Sequence, residues 1–212
     1  EMFKGSSGSI SSTVCSVLSA FSPQSTTELK SAVAYCLKSS PHGECFGPHG
    51  PIAEWDVSSV TDMSLIFSEA KSFNGDISKW DVSSVTTMRG MFAFASSFNS
   101  DISKWDVSRV ISMSAMFTSS SFNSDISKWN VYKVNDMVDM FSSASSFNGD
   151  ISKWNVSRVT TMRGMFFGAT SFAQTLCGAW YKSKALKDGM FFGSFGRICL
   201  RAPPTNHSKK AV

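Results

Sequence analysis

Phe73-Asn-Gly-Asp-Ile-Ser-Lys-Trp-Asp-Val82 decides the fold, because the chain repeats it almost unchanged from Phe98, from Phe122 and from Phe147. Trp55, Trp80, Trp105, Trp129 and Trp154 fall 25, 25, 24 and 25 residues apart. A fixed period of this size marks a solenoid, in which each unit buries its apolar side only against its neighbours. Solenoids work through a broad outer surface rather than a cleft, so binding is the function to look for.

The residues between the copies complete the unit. Val85, Met88, Met91, Phe92 and Ala95 stand at offsets 0, 3, 6, 7 and 10, the spacing of one helical face. Ser83 and Ser84 precede them, where a hydroxyl can cap a helix start. Phe73 to Trp80 is too short and Gly-bearing for a helix and reads as an extended segment with a turn. One coil is therefore expected to be a short strand, a corner at Trp80-Asp81-Val82 and a short helical return. Stacked coils would set the strands in a parallel ladder about 4.8 Å apart. The third coil lacks one residue between Phe117 and Phe122, so its outer turn must tighten.

Composition narrows the partners. The 212 residues carry a formal charge of +4, short of the basic signature of nucleic-acid binders. No apolar run approaches the ~20 residues of a membrane span. Ile10, Val14, Val17, Leu18 and Phe21 instead follow the spacing of a short amphipathic helix. The chain starts at Glu1 rather than Met, so a targeting peptide has been removed or was never included. Expected boundaries are an N-terminal segment (1–26), an N-terminal cap (27–51), a five-coil array (52–176), a C-terminal cap (177–202) and a basic tail (203–212).

All five cysteines lie outside the regular repeats. Cys36 with Cys45, and Cys177 with Cys199, read as two cap disulfides and hence an oxidising compartment. Cys15 is left over, as a buried thiol or a bond to a partner chain. Zinc held by Cys36, His42, Cys45 and His49 is the alternative for the first pair, at a spacing that matches no common finger.

The repeating columns read mainly as structure. Asn74, Asn99, Asn123 and Asn148 suit an internal amide ladder rather than a binding strip, and the tryptophans and methionines read as core. For Asp76, Asp101, Asp125 and Asp150 the preferred reading is an ion-pair lattice with Lys79, Lys104, Lys128 and Lys153. Corner capping and calcium coordination are its alternatives. Asp81 and Asp106 give way to Asn130 and Asn155, so that corner needs an acceptor, not a charge. Asn155-Val-Ser157 and Asn206-His-Ser208 are glycosylation sequons, the first at a corner and the second in the tail. Arg109, Lys133 and Arg158, with Arg89 and Arg163 nearby, form a basic stripe. It is either a solvated face or a docking strip for an acidic protein surface or anionic headgroups.

Val85 to Ser108, which reads Val-x-x-Met-x-x-Met-Phe-x-x-Ala-x-x-Phe-Asn-x-Asp-Ile-Ser-x-Trp-Asp-Val-Ser, resembles the BspA-like leucine-rich-repeat surface proteins. The flanking segments Glu28 to Cys36, Cys45 to Ile52 and Leu176 to Trp180 resemble caps found with such repeats in algal proteins. The resemblance implies a leucine-rich-repeat-like solenoid, often exported, engaged in adhesion and protein–protein contact. It implies no catalytic activity, and neither a cofactor nor a metal is expected. The function expected is a non-enzymatic, exported or lumenal accessory subunit that binds other protein subunits through its ends and basic stripe. An extrinsic subunit on the thylakoid-lumen side of a photosynthetic membrane complex is one form of this. A cell-surface adhesin for glycans or host proteins is the rival.

Overall fold

The computed structural model describes residues 20–200. The expectations for Cys15, for the tail 203–212 and for the sequon at Asn206 lie outside them, as does the Ile10–Phe21 helix except for Ala20 and Phe21. The chain forms a repeat-type, mostly non-helical domain. Its named elements are α1 (Thr26–Ser39), a 3-10 turn (Ile52–Glu54), β1 (Thr175–Leu176), α2 (Ala179–Lys182) and β2 (Arg197–Ile198).

Local chemistry starts α1. The Ser25 hydroxyl accepts the Glu28 N–H at 3.2 Å, and the Glu28 carboxylate accepts the Gln24 N–H at 2.9 Å, which satisfies two otherwise orphaned donors. Leu29, Ala32, Val33 and Cys36 then share one buried face. This helix closes the N-terminal end of the stack, where the Thr26 hydroxyl donates to the Asp62 carbonyl at 2.7 Å.

Successive coils are joined in parallel. Bridges run Asp62 to Thr87, Thr87 to Ser112, Ser112 to Asp136, Asp136 to Thr161 and Thr161 to Leu186. From each coil, alternate residues donate to the next: Met63, Leu65, Phe67 and Glu69 to the carbonyls of Thr87, Arg89, Met91 and Ala93, at 2.8–3.0 Å. The same four-bond set recurs at every junction, ending with Met162, Gly164, Phe166 and Gly168 on Leu186, Asp188, Met190 and Phe192. The pattern thus runs past residue 176.

Two sequence expectations need correction. The ladder lies on the Val–Met–Phe run, not on Phe73 to Trp80, and that run is no helix. Each coil holds two left-handed residues four positions apart: Leu65 and Glu69, Ala115 and Ser119, Asp139 and Ser143, or glycines in the same places at 164 and 168. A left-handed residue cannot continue a right-handed helix. The chain makes consecutive three-residue turns instead, closed by bonds such as Met91 N–H to the Met88 carbonyl (3.2 Å) and Ala95 N–H to the Phe92 carbonyl (3.1 Å). Inward side chains then recur every third or fourth residue, as they would on a helix.

Side chains stitch the other half of the coil. The Asn74 amide oxygen accepts the Asn99 N–H (2.7 Å), Asn99 that of Asn123, and Asn123 that of Asn148 (2.8 Å each). From Trp80 onward each indole N–H reaches back one coil to an isoleucine carbonyl: Trp80 to Ile52, Trp105 to Ile77, Trp129 to Ile102, Trp154 to Ile126 and Trp180 to Ile151, at 2.9–3.1 Å. Between these seams lies a continuous core. Phe67, Phe92, Phe117, Phe141, Phe166 and Phe191 stack face to face at 5.5–5.7 Å down the whole array.

The short third coil tightens through one side chain. Elsewhere the N–H of the next phenylalanine bonds an alanine carbonyl, as Phe98 does to Ala95 at 3.1 Å. Here Ser120 is buried, its hydroxyl donates to the Phe117 carbonyl at 2.9 Å, and it accepts the Phe122 N–H at 3.4 Å. Ser120→Ala should therefore cost about 1–2 kcal/mol, the penalty for leaving a buried donor unpaired. Urea unfolding of the two proteins checks this; a variant as stable as the parent would show that the hydroxyl is dispensable.

Candidate interaction surface

The corner after each tryptophan positions the basic column. The Asp106 carboxylate accepts the Ser108 N–H at 3.0 Å, and Asn130 and Asn155 accept those of Tyr132 and Ser157 at 3.2 Å. A further turn then closes from the N–H of the next buried valine, Val110 to Val107 and Val134 to Val131 at 3.0 Å, and Val159 to Val156 at 3.1 Å. Arg109, Lys133 and Arg158 occupy the apex before that valine, and all are exposed. One column through three coils is the result.

Neighbouring coils interact along it. The Arg158 guanidinium lies 5.4 Å from the centre of the Tyr132 ring, itself 45% exposed, a contact worth ~0.5–1 kcal/mol at such a site. Lys184 precedes the buried Ala185 just as Arg158 precedes Val159, and it is also exposed, so the column gains a fourth cation. Sequence reasoning missed Lys184 because Trp154 and Trp180 are 26 residues apart and Phe172 to Cys177 has lost the repeat signature.

Arg89 and Arg163 belong elsewhere. They sit two residues beyond the Thr87 and Thr161 bridges, with Ser114 and Val138 at the intervening positions, so they do not extend the column. Arg163 Nε pairs with Asp188 of the next coil at 2.8 Å, with both side chains more than half exposed; such a pair contributes ~0–1 kcal/mol. The predicted stripe is therefore one continuous column and two isolated arginines.

The aspartates depart from the lattice reading. Among the described residues the Arg163–Asp188 pair is the ion pair within 4.0 Å, and no lysine reaches Asp76, Asp101, Asp125 or Asp150. Each carboxylate caps its corner instead, accepting the N–H of Ser78, Ser103, Ser127 or Ser152 at 2.8–2.9 Å. The hydroxyl and N–H of that serine hold Asp76 and Asp150 below the ordinary aspartate value of 3.8; for Asp101 and Asp125 the N–H leads. A folded pKa below the unfolded one gives stability that is complete above pH 3.8 and is lost as pH falls through the folded value. Acid unfolding of the protein should start below about pH 4. Exchanging the four aspartates for asparagine, which keeps the acceptor, should move that midpoint to lower pH, followed by circular dichroism. An unchanged midpoint would mean other carboxylates control it.

The cap cysteines form bonds. Cys36 joins Cys45 and Cys177 joins Cys199, with Cα atoms 5.4 and 5.0 Å apart. The first bond removes two thiolates from the zinc alternative, and both point to an oxidising environment. Among the described residues no helix is long and apolar enough to cross a membrane.

The family described as "Mycoplasma protein of unknown function, DUF285" matches residues 42–121 and 108–196. These ranges contain the repeats that carry the sequence resemblance. No curated protein and no solved structure matches the chain. With well over half its length covered by that family model, the chain belongs to the DUF285 family.

Proposed function

We propose that the chain is a protein-binding solenoid, a leucine-rich-repeat-like scaffold without enzymatic activity, serving as an accessory subunit of a larger complex. The observation that carries the reading is the sealed interior. The valine, methionine, phenylalanine, isoleucine and tryptophan columns are buried from Val60 to Met165, which leaves the outward-facing residues of turns, corners and ends free to meet a partner. Regular bonding between residues 23–26 apart supports the solenoid. The column Arg109, Lys133, Arg158 and Lys184 suits an acidic protein surface.

The two disulfides support an exported or lumenal setting. The likeness of the caps to algal proteins makes the lumenal side of a photosynthetic membrane complex the specific form to test. Tagged protein and an Arg109→Glu/Lys133→Glu/Arg158→Glu variant would be purified gently from the native source and their co-eluting proteins identified by mass spectrometry. A partner with an acidic surface should accompany the parent and be lost from the variant. Recovery of the parent alone, or binding to glycans instead, would sink the reading.

A further inference from the structure

The ladder has a direction. At every junction four N–H groups of the earlier coil donate to carbonyls of the later one, against one bond the other way along the same run, such as Thr86 N–H to the Thr61 carbonyl. The ladder therefore ends mainly in acceptors on one side and in donors on the other. The acceptor end lies under α1, which buries Leu29 and Val33 there and spends the Thr26 hydroxyl on the Asp62 carbonyl. The donor end has no such cover among the described residues. Lys187, Gly189, Phe191 and Gly193 stand where Met162, Gly164, Phe166 and Gly168 stand one coil earlier. Their four N–H groups meet no acceptor among the described residues.

A groove of about 530 Å³ adjoins these donors, lined by Lys187, Phe191, Phe192, Arg197 and Ile198 among others. Phe192 is 70% exposed and stacks on Phe167 at 5.3 Å. The Lys187 ammonium donates to the carbonyls of Ser183 (2.7 Å) and Ala185 (3.2 Å), which fixes its charge at the rim. The carboxylate nearest in sequence, Asp188, is already held by Arg163. The end is thus a row of aligned donors with two cations and an apolar trough.

We propose that this end docks an extended acidic segment of a partner protein. Its carbonyls and carboxylates would accept from the N–H groups of Lys187, Gly189, Phe191 and Gly193, with an apolar side chain between Phe192 and Ile198. Alternate carbonyls of an extended strand match the alternate N–H groups, and acidity follows from charge, because Lys187 and Arg197 line the groove while Asp188 is paired with Arg163. A second copy does not fit. A two-fold contact sets donors against donors, and a head-to-tail contact needs the acceptor end that α1 covers. The chain's own residues 201–212 hold Arg201, His207, Lys209 and Lys210 and no acid, so they mismatch Lys187 and Arg197.

The inference rests on the protein-binding reading but is tested away from the basic column. The probe is a fluorescein-labelled peptide of alternating glutamate and leucine, with a lysine–leucine counterpart, added to the full chain. Anisotropy should report binding of the acidic peptide alone, and hydrogen exchange should slow at the amides of Lys187, Gly189, Phe191 and Gly193. Arg197→Glu should weaken binding about tenfold, the equivalent of ~1.4 kcal/mol, while Lys79→Glu, at an exposed corner outside both surfaces, leaves it unchanged. Amides already protected without peptide, a dimer that protects them, or equal binding of both peptides would each overturn the proposal. Loss of binding in Arg109→Glu alone would locate the partner on the basic column instead.

Discussion

Replacing Trp129 with alanine should destabilise the protein by about 4 kcal/mol, within the ~3–5 kcal/mol measured when large aromatic side chains are removed from cores. The side chain is 4% exposed, stacks on Trp154 at 6.4 Å and lies 6.5 Å from Phe117. Its indole N–H bonds the Ile102 carbonyl of the preceding coil at 3.1 Å. That carbonyl keeps the Trp129→Ala variant from a full orphaning penalty, because it still accepts the Trp105 N–H at 3.2 Å. Most of the loss is therefore cavity. Trp129→Phe, which fills much of the space and removes only the indole bond, should cost about 1–2 kcal/mol. Position matters as well as chemistry. In a stack stabilised by nearest-neighbour contacts, a central gap uncouples the halves on either side. Urea unfolding of the alanine variant should become broader or biphasic, with a lower midpoint. A single, equally steep transition shifted by less than about 1 kcal/mol would show that the tryptophan seam is not what couples the coils.

The stacking was legible in the sequence because identical side chains at a constant period can be buried identically only by stacking. The local backbone was not. Turn chains and helices both bring inward residues round every three or four positions, so Val85, Met88 and Met91 satisfy either. Glycine would have betrayed the left-handed positions, but most of them are Leu65, Glu69, Phe94, Ala115, Ser119, Asp139 and Ser143. Gly164 with Gly168, and Gly189 with Gly193, show both plainly, and Gly90 shows one. The aspartate column misled for a related reason. An Asx turn delivers the serine N–H through backbone geometry alone, whereas a lysine must give up side-chain freedom to pair at an exposed site. The column of Arg109, Lys133 and Arg158 could be read because variation at a fixed register stands out against constant neighbours. The donor end could not, since it depends on which way every N–H points.

Removing the Cys177–Cys199 bond should have the second large effect, about 3 kcal/mol for a loop with a sequence separation of 22. The bond closes the last coil on the one before it. It reinforces β1 and β2, which pair Thr175 with Arg197 and Leu176 with Ile198, and it flanks the Cys199 N–H bond to the Leu176 carbonyl at 2.9 Å. This coil has a neighbour on one side only among the described residues, so it lacks half the contacts of an inner coil. The loss should therefore be local before it is global. In a Cys177→Ser/Cys199→Ser variant, amide exchange should quicken at Met162, Gly164, Phe166 and Gly168, whose acceptors lie in the last coil. Amides of Met63, Leu65, Phe67 and Glu69 at the far end should keep their protection. Cys36→Ser/Cys45→Ser should loosen the α1 end instead, leaving the C-terminal amides as they were. Equal acceleration at both ends in either variant would mean that the array unfolds as one unit, and that its ends are not independent closures of the core.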